Sequence, residues 1–168
     1  MVCDRYSGYK RLARENAVIL LAFCWAHVRR DFLDAAKSWP DLEAWMLSWV
    51  ERIGELYTLN AQRLEQWDEA LALEDQAPAF MERHQVLEQA IEQMEERCDQ
   101  ELEKQRLHIA QRDALNSLKN HWLGLTVFVR FPQVPMDNNT AERRMRNPGM
   151  GRKNYYPRNL RFLGLWLR

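Results

Sequence analysis

Apolar and polar positions divide this sequence into a short apolar start, a long periodic middle and a basic end. Val2-Cys3 is a brief apolar stretch, and Val18-Ile19-Leu20-Leu21-Ala22-Phe23-Cys24-Trp25 is an unbroken apolar run of eight. That length predicts a strand buried on both faces, with a buried helix segment as the alternative. His27 to Lys37 predicts a helix that Pro40 ends. Beyond it, Leu42, Trp45, Met46, Trp49, Ile53, Leu56 and Tyr57 recur at intervals of three and four, the stripe of an amphipathic helix. Asp68 to Pro78 is an acidic connection. Leu87, Ala90, Ile91, Met94, Cys98 and Leu102 make a second stripe, and Leu115, Leu118, Trp122 and Leu125 a third. These predict the long helices of an antiparallel hairpin or bundle. Pro132 and Pro135 break the pattern. Asp137-Asn138-Asn139 then signals a helix start, Thr140 to Arg146 a short basic helix, and Asn147-Pro148-Gly149 its stop. The predicted fold class is mainly α with a small β remnant.

Composition narrows the class. With 168 residues, 46% of them hydrophobic and seven of them Trp, the chain has the scale of one domain with a real core, not that of a disordered segment. No run approaches the roughly 18 apolar residues of a membrane span, and the start lacks the apolar region of a signal peptide. Three widely spaced Cys do not form a disulfide framework, so a reducing cytoplasm is the expected compartment. The net charge of zero hides an asymmetry: residues 1–40 sum to +3, 41–103 to −13 and 104–168 to +10. A basic end suggests a polyanion partner; pairing with the acidic middle is the alternative.

Several residues carry candidate chemistry. Asp4 ends a short apolar run, where α/β sheets present ligands, and carboxylates there suit Mg²⁺; taken alone, the residue reads first as a solvated or capping Asp. Asn139-Thr140-Ala141-Glu142 has capping-box spacing, so Glu142 is either a cap or a metal ligand. Cys24 and His27 make a Cys-x-x-His pair with no second pair to complete a zinc site, which favours a core thiol and a helix-start His. Arg143, Arg144, Arg146, Arg152, Lys153 and Arg158 fall within sixteen residues that also hold Tyr155 and Tyr156. Cations interleaved with aromatics suit phosphates and unpaired bases.

Three segments together resemble a known family: Asp4-Arg5-Tyr6-Ser7-Gly8-Tyr9, Cys24-Trp25-Ala26-His27-Val28-Arg29-Arg30-Asp31-Phe32, and Asp137-Asn138-Asn139-Thr140-Ala141-Glu142-Arg143 running on to Gly151-Arg152-Lys153-Asn154-Tyr155. They resemble the catalytic region of insertion-sequence transposases of family sixty-six, over Val2 to about Tyr156. The resemblance implies a partial RNase H-like α/β domain carrying a large helical insertion: core residues 1–40, insertion 41–130, and a Glu-bearing helix with a basic segment at 131–168. It implies an Asp-Asp-Glu triad holding two divalent metals, Mg²⁺ or Mn²⁺, with Asp4 as the second Asp and Glu142 as the Glu. Arg143, Arg144, Arg146, Arg152, Lys153 and Tyr155 become the DNA-contacting set. Cys24, Trp25, His27, Arg29, Arg30, Asp137, Asn138 and Asn139 become structural motif positions, the two Asn orienting the Glu142 helix.

The implied activity is metal-dependent DNA cleavage and strand transfer during transposition, with DNA and further copies of the chain as partners and neither a membrane nor a small-molecule substrate. The family's first Asp lies upstream of the position of Asp4, and the sequence after Tyr156 departs from the pattern, as a shifted reading frame or truncated end would. The expectation is a truncated transposase, inactive alone. The alternative is a non-catalytic helical module that binds DNA or protein.

Overall fold

The computed structural model describes the backbone of Val2–Cys3 and residues 20–139. Two compact units divide the chain, Met1–Asn138 and Asn139–Arg168; of the second, only Asn139 is described. The first unit takes in both the 1–40 and the 41–130 segments.

It begins with two strands of two residues each, β1 (Val2–Cys3) and β2 (Ala22–Phe23), paired in parallel with Val2 opposite Ala22 and Cys3 opposite Phe23. The apolar run therefore gives a shorter strand than its length predicts. Leu20 and Leu21 lie outside it, Trp25 already belongs to the next helix, and Val18 and Ile19 fall outside the described residues. The change of structure inside one apolar run follows from burial: Ala22, Phe23, Cys24 and Trp25 are all buried, so hydropathy alone does not mark the boundary.

Helix α1 (Trp25–Ser38) buries Trp25, Val28, Phe32 and Ala36, one face at helical spacing. A 3₁₀ turn at Pro40–Leu42 leads into α2 (Glu43–Leu64), which buries Met46, Trp49, Val50, Ile53, Leu56, Asn60 and Arg63. The connection from α2 ends in a 3₁₀ turn at Leu73–Asp75 and is stapled by the buried Gln76, whose amide donates to the carbonyls of Asp68 (2.7 Å) and Leu71 (3.1 Å) while its Oε1 accepts the Asp68 N–H (2.9 Å). Helix α3 (Pro78–Leu102) starts on a proline, whose missing N–H costs nothing at the first helical position. It buries Phe80, His84, Leu87, Ile91, Met94, Cys98 and Glu101.

The antiparallel hairpin read from the first two stripes is α2 against α3, and α1 packs against α2 and touches α4. The third stripe is not one long helix. It splits into α4 (Ile109–Asn120), α5 (Trp122–Leu125) and α6 (Val127–Arg130). Side chains compete for the backbone where it breaks: the His121 ring bonds the Ser117 carbonyl at 2.6 Å, and the Thr126 hydroxyl donates to the Trp122 carbonyl at 3.0 Å. Leu115, Leu118, Trp122 and Leu125 remain buried, so the apolar spacing survives a break in the helix that it suggested.

The core joins these pieces around aromatic rings. Phe32 stacks on Trp49 with centroids 5.9 Å apart, and Trp25 meets Trp122 edge-on at 6.1 Å. Gly124 lies against the Phe23 ring, and a Cβ there would collide with it. Among the described residues, no helix is long and apolar enough to cross a membrane.

Candidate active site

Residues 100 and more apart in sequence meet at the start of α1. The backbone N–H of Trp25 donates to the Met136 carbonyl at 2.9 Å, and the Trp25 indole Nε1–H donates to the Leu125 carbonyl at 2.8 Å. Cys24 occupies the N-cap position of α1 but makes no side-chain bond to its own helix. Its sulfur instead accepts the backbone N–H of Asn138 at 3.3 Å. Thus the Cys-Trp-Ala-His motif and the Asp-Asn-Asn motif form one junction, directly after β2. Asn139 is the last described residue, and the helix that the spacing suggested after it lies outside the described residues.

Helix α2 touches this junction through one side chain and braces the chain just before it with another. The Tyr57 hydroxyl of α2 donates to the Asp137 carboxylate at 3.3 Å. Burial raises the Tyr57 pKa, the negative Asp137 raises it further, and the nearby positive charge of Arg29 opposes both. One turn and a half further along α2, Arg63 is fully buried. Its guanidinium donates to the carbonyls of Phe128 (3.0 Å) and Val129 (2.9 Å) in α6 and to Asn60 Oδ1 (2.6 Å), and it faces His84 Nδ1 at 3.0 Å. The rings of Phe80 and Phe128 lie 5.8 and 5.9 Å from it. Its Nε has no hydrogen-bond partner among the described residues. Burial pushes the Arg63 pKa down to about 10, against the pull of Glu88.

Because Arg63 can only donate, His84 Nδ1 must accept and its proton sits on Nε2, which faces Glu88 Oε1 at 3.3 Å. Burial lowers the His84 pKa, opposed by Glu88, and the imidazole stays neutral. At the other end of α3 the buried Glu101 carboxylate takes Arg97 (2.7 Å) and Lys104 (2.8 Å), with the Trp45 indole at 3.4 Å. Burial works to raise its pKa, but these three partners outweigh burial and lower it.

The sequence-derived site residues divide sharply. Cys24, Trp25, His27, Asp137 and Asn138 lie at or beside the junction, with Arg29 and Arg30 exposed on α1, and Asn139 follows in sequence. Asp4, Glu142, Arg143, Arg144, Arg146, Arg152, Lys153, Tyr155, Tyr156 and Arg158 lie outside the described residues. Among the described residues, no three His, Cys, Asp or Glu converge as metal ligands. Sequence reasoning missed Arg63, although a signal was present: Asn60 and Arg63 continue the α2 stripe beyond Leu56, and His84 and Glu101 stand at stripe positions of α3. A polar residue on an apolar stripe marks a buried polar contact.

The family described as "Transposase IS66 family" matches residues 1–159. The uncharacterized protein y4jD of Sinorhizobium fredii (strain NBRC 101917 / NGR234) is 30% identical over 156 residues, covering 90% of this chain and 29% of that protein. The uncharacterized protein y4hP of the same organism is 24% identical over 161 residues, covering 90% and 28%. The chain thus spans less than a third of the length of either curated relative. No solved structure matches it. A family match over nearly the whole chain, on a sequence whose two motifs meet in the fold, places this protein in the IS66 family of transposases.

Proposed function

We propose that these residues form part of the catalytic region of a DNA transposase, an RNase H-like core carrying the helical insertion 41–130, and that the reaction is metal-dependent DNA cleavage and strand transfer. The observation that carries this reading is the junction at Cys24, where the residue after β2 holds the backbone of Asn138. Ligand sites in α/β sheets form beyond the carboxyl ends of parallel strands. Asp4 follows Cys3, the last paired residue of β1. Glu142 lies four residues beyond Asn138, within about 14 Å of extended chain.

Both are carboxylates, the oxygen donors that Mg²⁺ or Mn²⁺ takes, and we assign Asp4 and Glu142 as its ligands. A metal pair bound there would supply activation of the attacking oxygen and stabilisation of the leaving one. Arg143, Arg144, Arg146, Arg152 and Lys153 would take the DNA phosphates, and Tyr155 would stack on an unpaired base.

The test is Mn²⁺ titration of the 168-residue chain by calorimetry, with nicking of plasmid DNA in parallel. Asp4→Asn and Glu142→Gln should each weaken Mn²⁺ binding by about tenfold or more, because a hard cation here relies on few protein ligands. Only two triad positions are matched within these residues, so no nicking is expected. Mn²⁺ binding that ignores both substitutions sinks the ligand assignment, and Mn²⁺-dependent nicking lost in Glu142→Gln sinks the two-of-three assignment. A second reading, a non-catalytic helical module, is favoured by Leu123, 88% exposed at a groove that Ile91, Trp122 and Val129 line together with Glu88, Glu92 and Glu95, a surface suited to a protein partner. It predicts no response to Mn²⁺ in the same titrations.

A further inference from the structure

Residues 131–139 carry two prolines and are gripped at several points by distant elements. Pro132 and Pro135 lack N–H groups, and the described backbone bond within the stretch is Val134 N–H to the Phe131 carbonyl at 2.9 Å. Groups from elsewhere in the fold hold this stretch and the turn before it. Arg63 fixes the carbonyls of Phe128 and Val129 just upstream, α1 takes the Met136 carbonyl, and Cys24 takes the Asn138 N–H. The side-chain contact from α2 to the motif itself is Tyr57 on Asp137.

We infer that Tyr57 is a positioning residue: its hydroxyl, bonded to the Asp137 carboxylate, holds residues 136–138 against Cys24 and so sets where the chain leaves toward Glu142. The helical region is then a working part of the site rather than a spacer. The consequence for Glu142 rests on the proposed function; the placement of Asp137 and Asn138 does not. Three features support the assignment. The bond is half-buried and its acceptor is a carboxylate, at 3.3 Å a contact of moderate length rather than a short charge-assisted one. Tyr57 sits on α2, which is anchored over its length by Met46, Trp49, Ile53 and Leu56, so the hydroxyl is presented from a rigid element. The bond also lies one residue from the Asn138–Cys24 contact that it would hold closed.

The readout is alkylation of Cys24, resolved residue by residue by mass spectrometry well below the unfolding midpoint. Cys24 is buried beneath Asn138, and the buried Cys98 on α3 serves as an internal control. Losing a hydrogen bond to a charged group should open the junction locally, so Tyr57→Phe is expected to speed Cys24 alkylation by about tenfold and leave Cys98 unchanged. Asp137→Ala should do the same, while Asp137→Asn, which keeps an acceptor for the hydroxyl, should restore the slow rate. A merely structural role would raise Cys24 and Cys98 together. That outcome, or Cys24 alkylation at the unsubstituted rate in both Tyr57→Phe and Asp137→Ala, overturns the inference. Mn²⁺ titration of Tyr57→Phe should show weakened binding. If the unsubstituted chain binds no Mn²⁺, the metal reading fails, and the alkylation rates alone decide the role of Tyr57.

Discussion

Along α2 and α3, apolar side chains at intervals of three and four interlock, and the helices satisfy their own backbone. Between His121 and Asn139 the chain is also largely in contact with the core, yet its backbone leans on groups from elsewhere: Arg63, the Trp25 indole and amide, and Cys24. The first region is held by area removed from water, the second by a few specific hydrogen bonds. Area tolerates substitution of one hydrophobe by another of like size. A buried donor does not, because each carbonyl left unpaired costs about 1–3 kcal/mol.

The sharpest way to break this contrast is Arg63→Met. A similar volume remains, but the carbonyls of Phe128 and Val129, Asn60 Oδ1 and His84 Nδ1 all lose a donor. The expected loss is about 3 kcal/mol in urea unfolding; a loss under 1 kcal/mol would show that burial, not the guanidinium, holds α6. Next in size is Gly124→Ala, which drives a methyl into the Phe23 ring. Overpacking of this kind should cost about 2 kcal/mol, and Phe23→Leu in the same chain should recover part of it; no recovery would place the strain elsewhere.

The smallest effect is on acid stability. Burial holds the His84 pKa below the ordinary 6.5, so the unfolded chain takes up the proton first as pH falls. Stability from this residue is complete above about pH 6.5 and declines as acid is added, by at most about 1.4 kcal/mol per pH unit. His84→Gln should flatten that part of the profile, and an unchanged slope would assign the acid sensitivity to other groups.

The hairpin was legible because its information is local: Trp49, Ile53 and Leu56, or Leu87, Ile91, Met94 and Cys98, state their burial by spacing alone. The β pairing was half legible. The apolar run marked burial, but the switch from strand to helix at Cys24 depends on what Cys24 and Trp25 contact more than a hundred residues later. The split of the third stripe at His121 was hidden because Leu118, Trp122 and Leu125 keep helical spacing across the break. For the candidate site, the motifs around Cys24 and Asn138 were visible as separate strings. Their meeting, and the contact of Tyr57 with Asp137 beside it, are properties of the fold that no spacing rule encodes.

The contacts of Trp25 with Leu125 and of Cys24 with Asn138 span 100 and 114 positions of sequence. Closing so long a flexible chain carries an entropy cost that rises by about 0.6 kcal/mol with each doubling of length. Pairing of α2 with α3 draws the ends of that chain together through contacts close in sequence, so much of the closure entropy is already spent before the two motifs meet. The hairpin thereby shortens the effective loop that the motif junction must close, a service to the kinetics of folding as well as to the stability of the folded state.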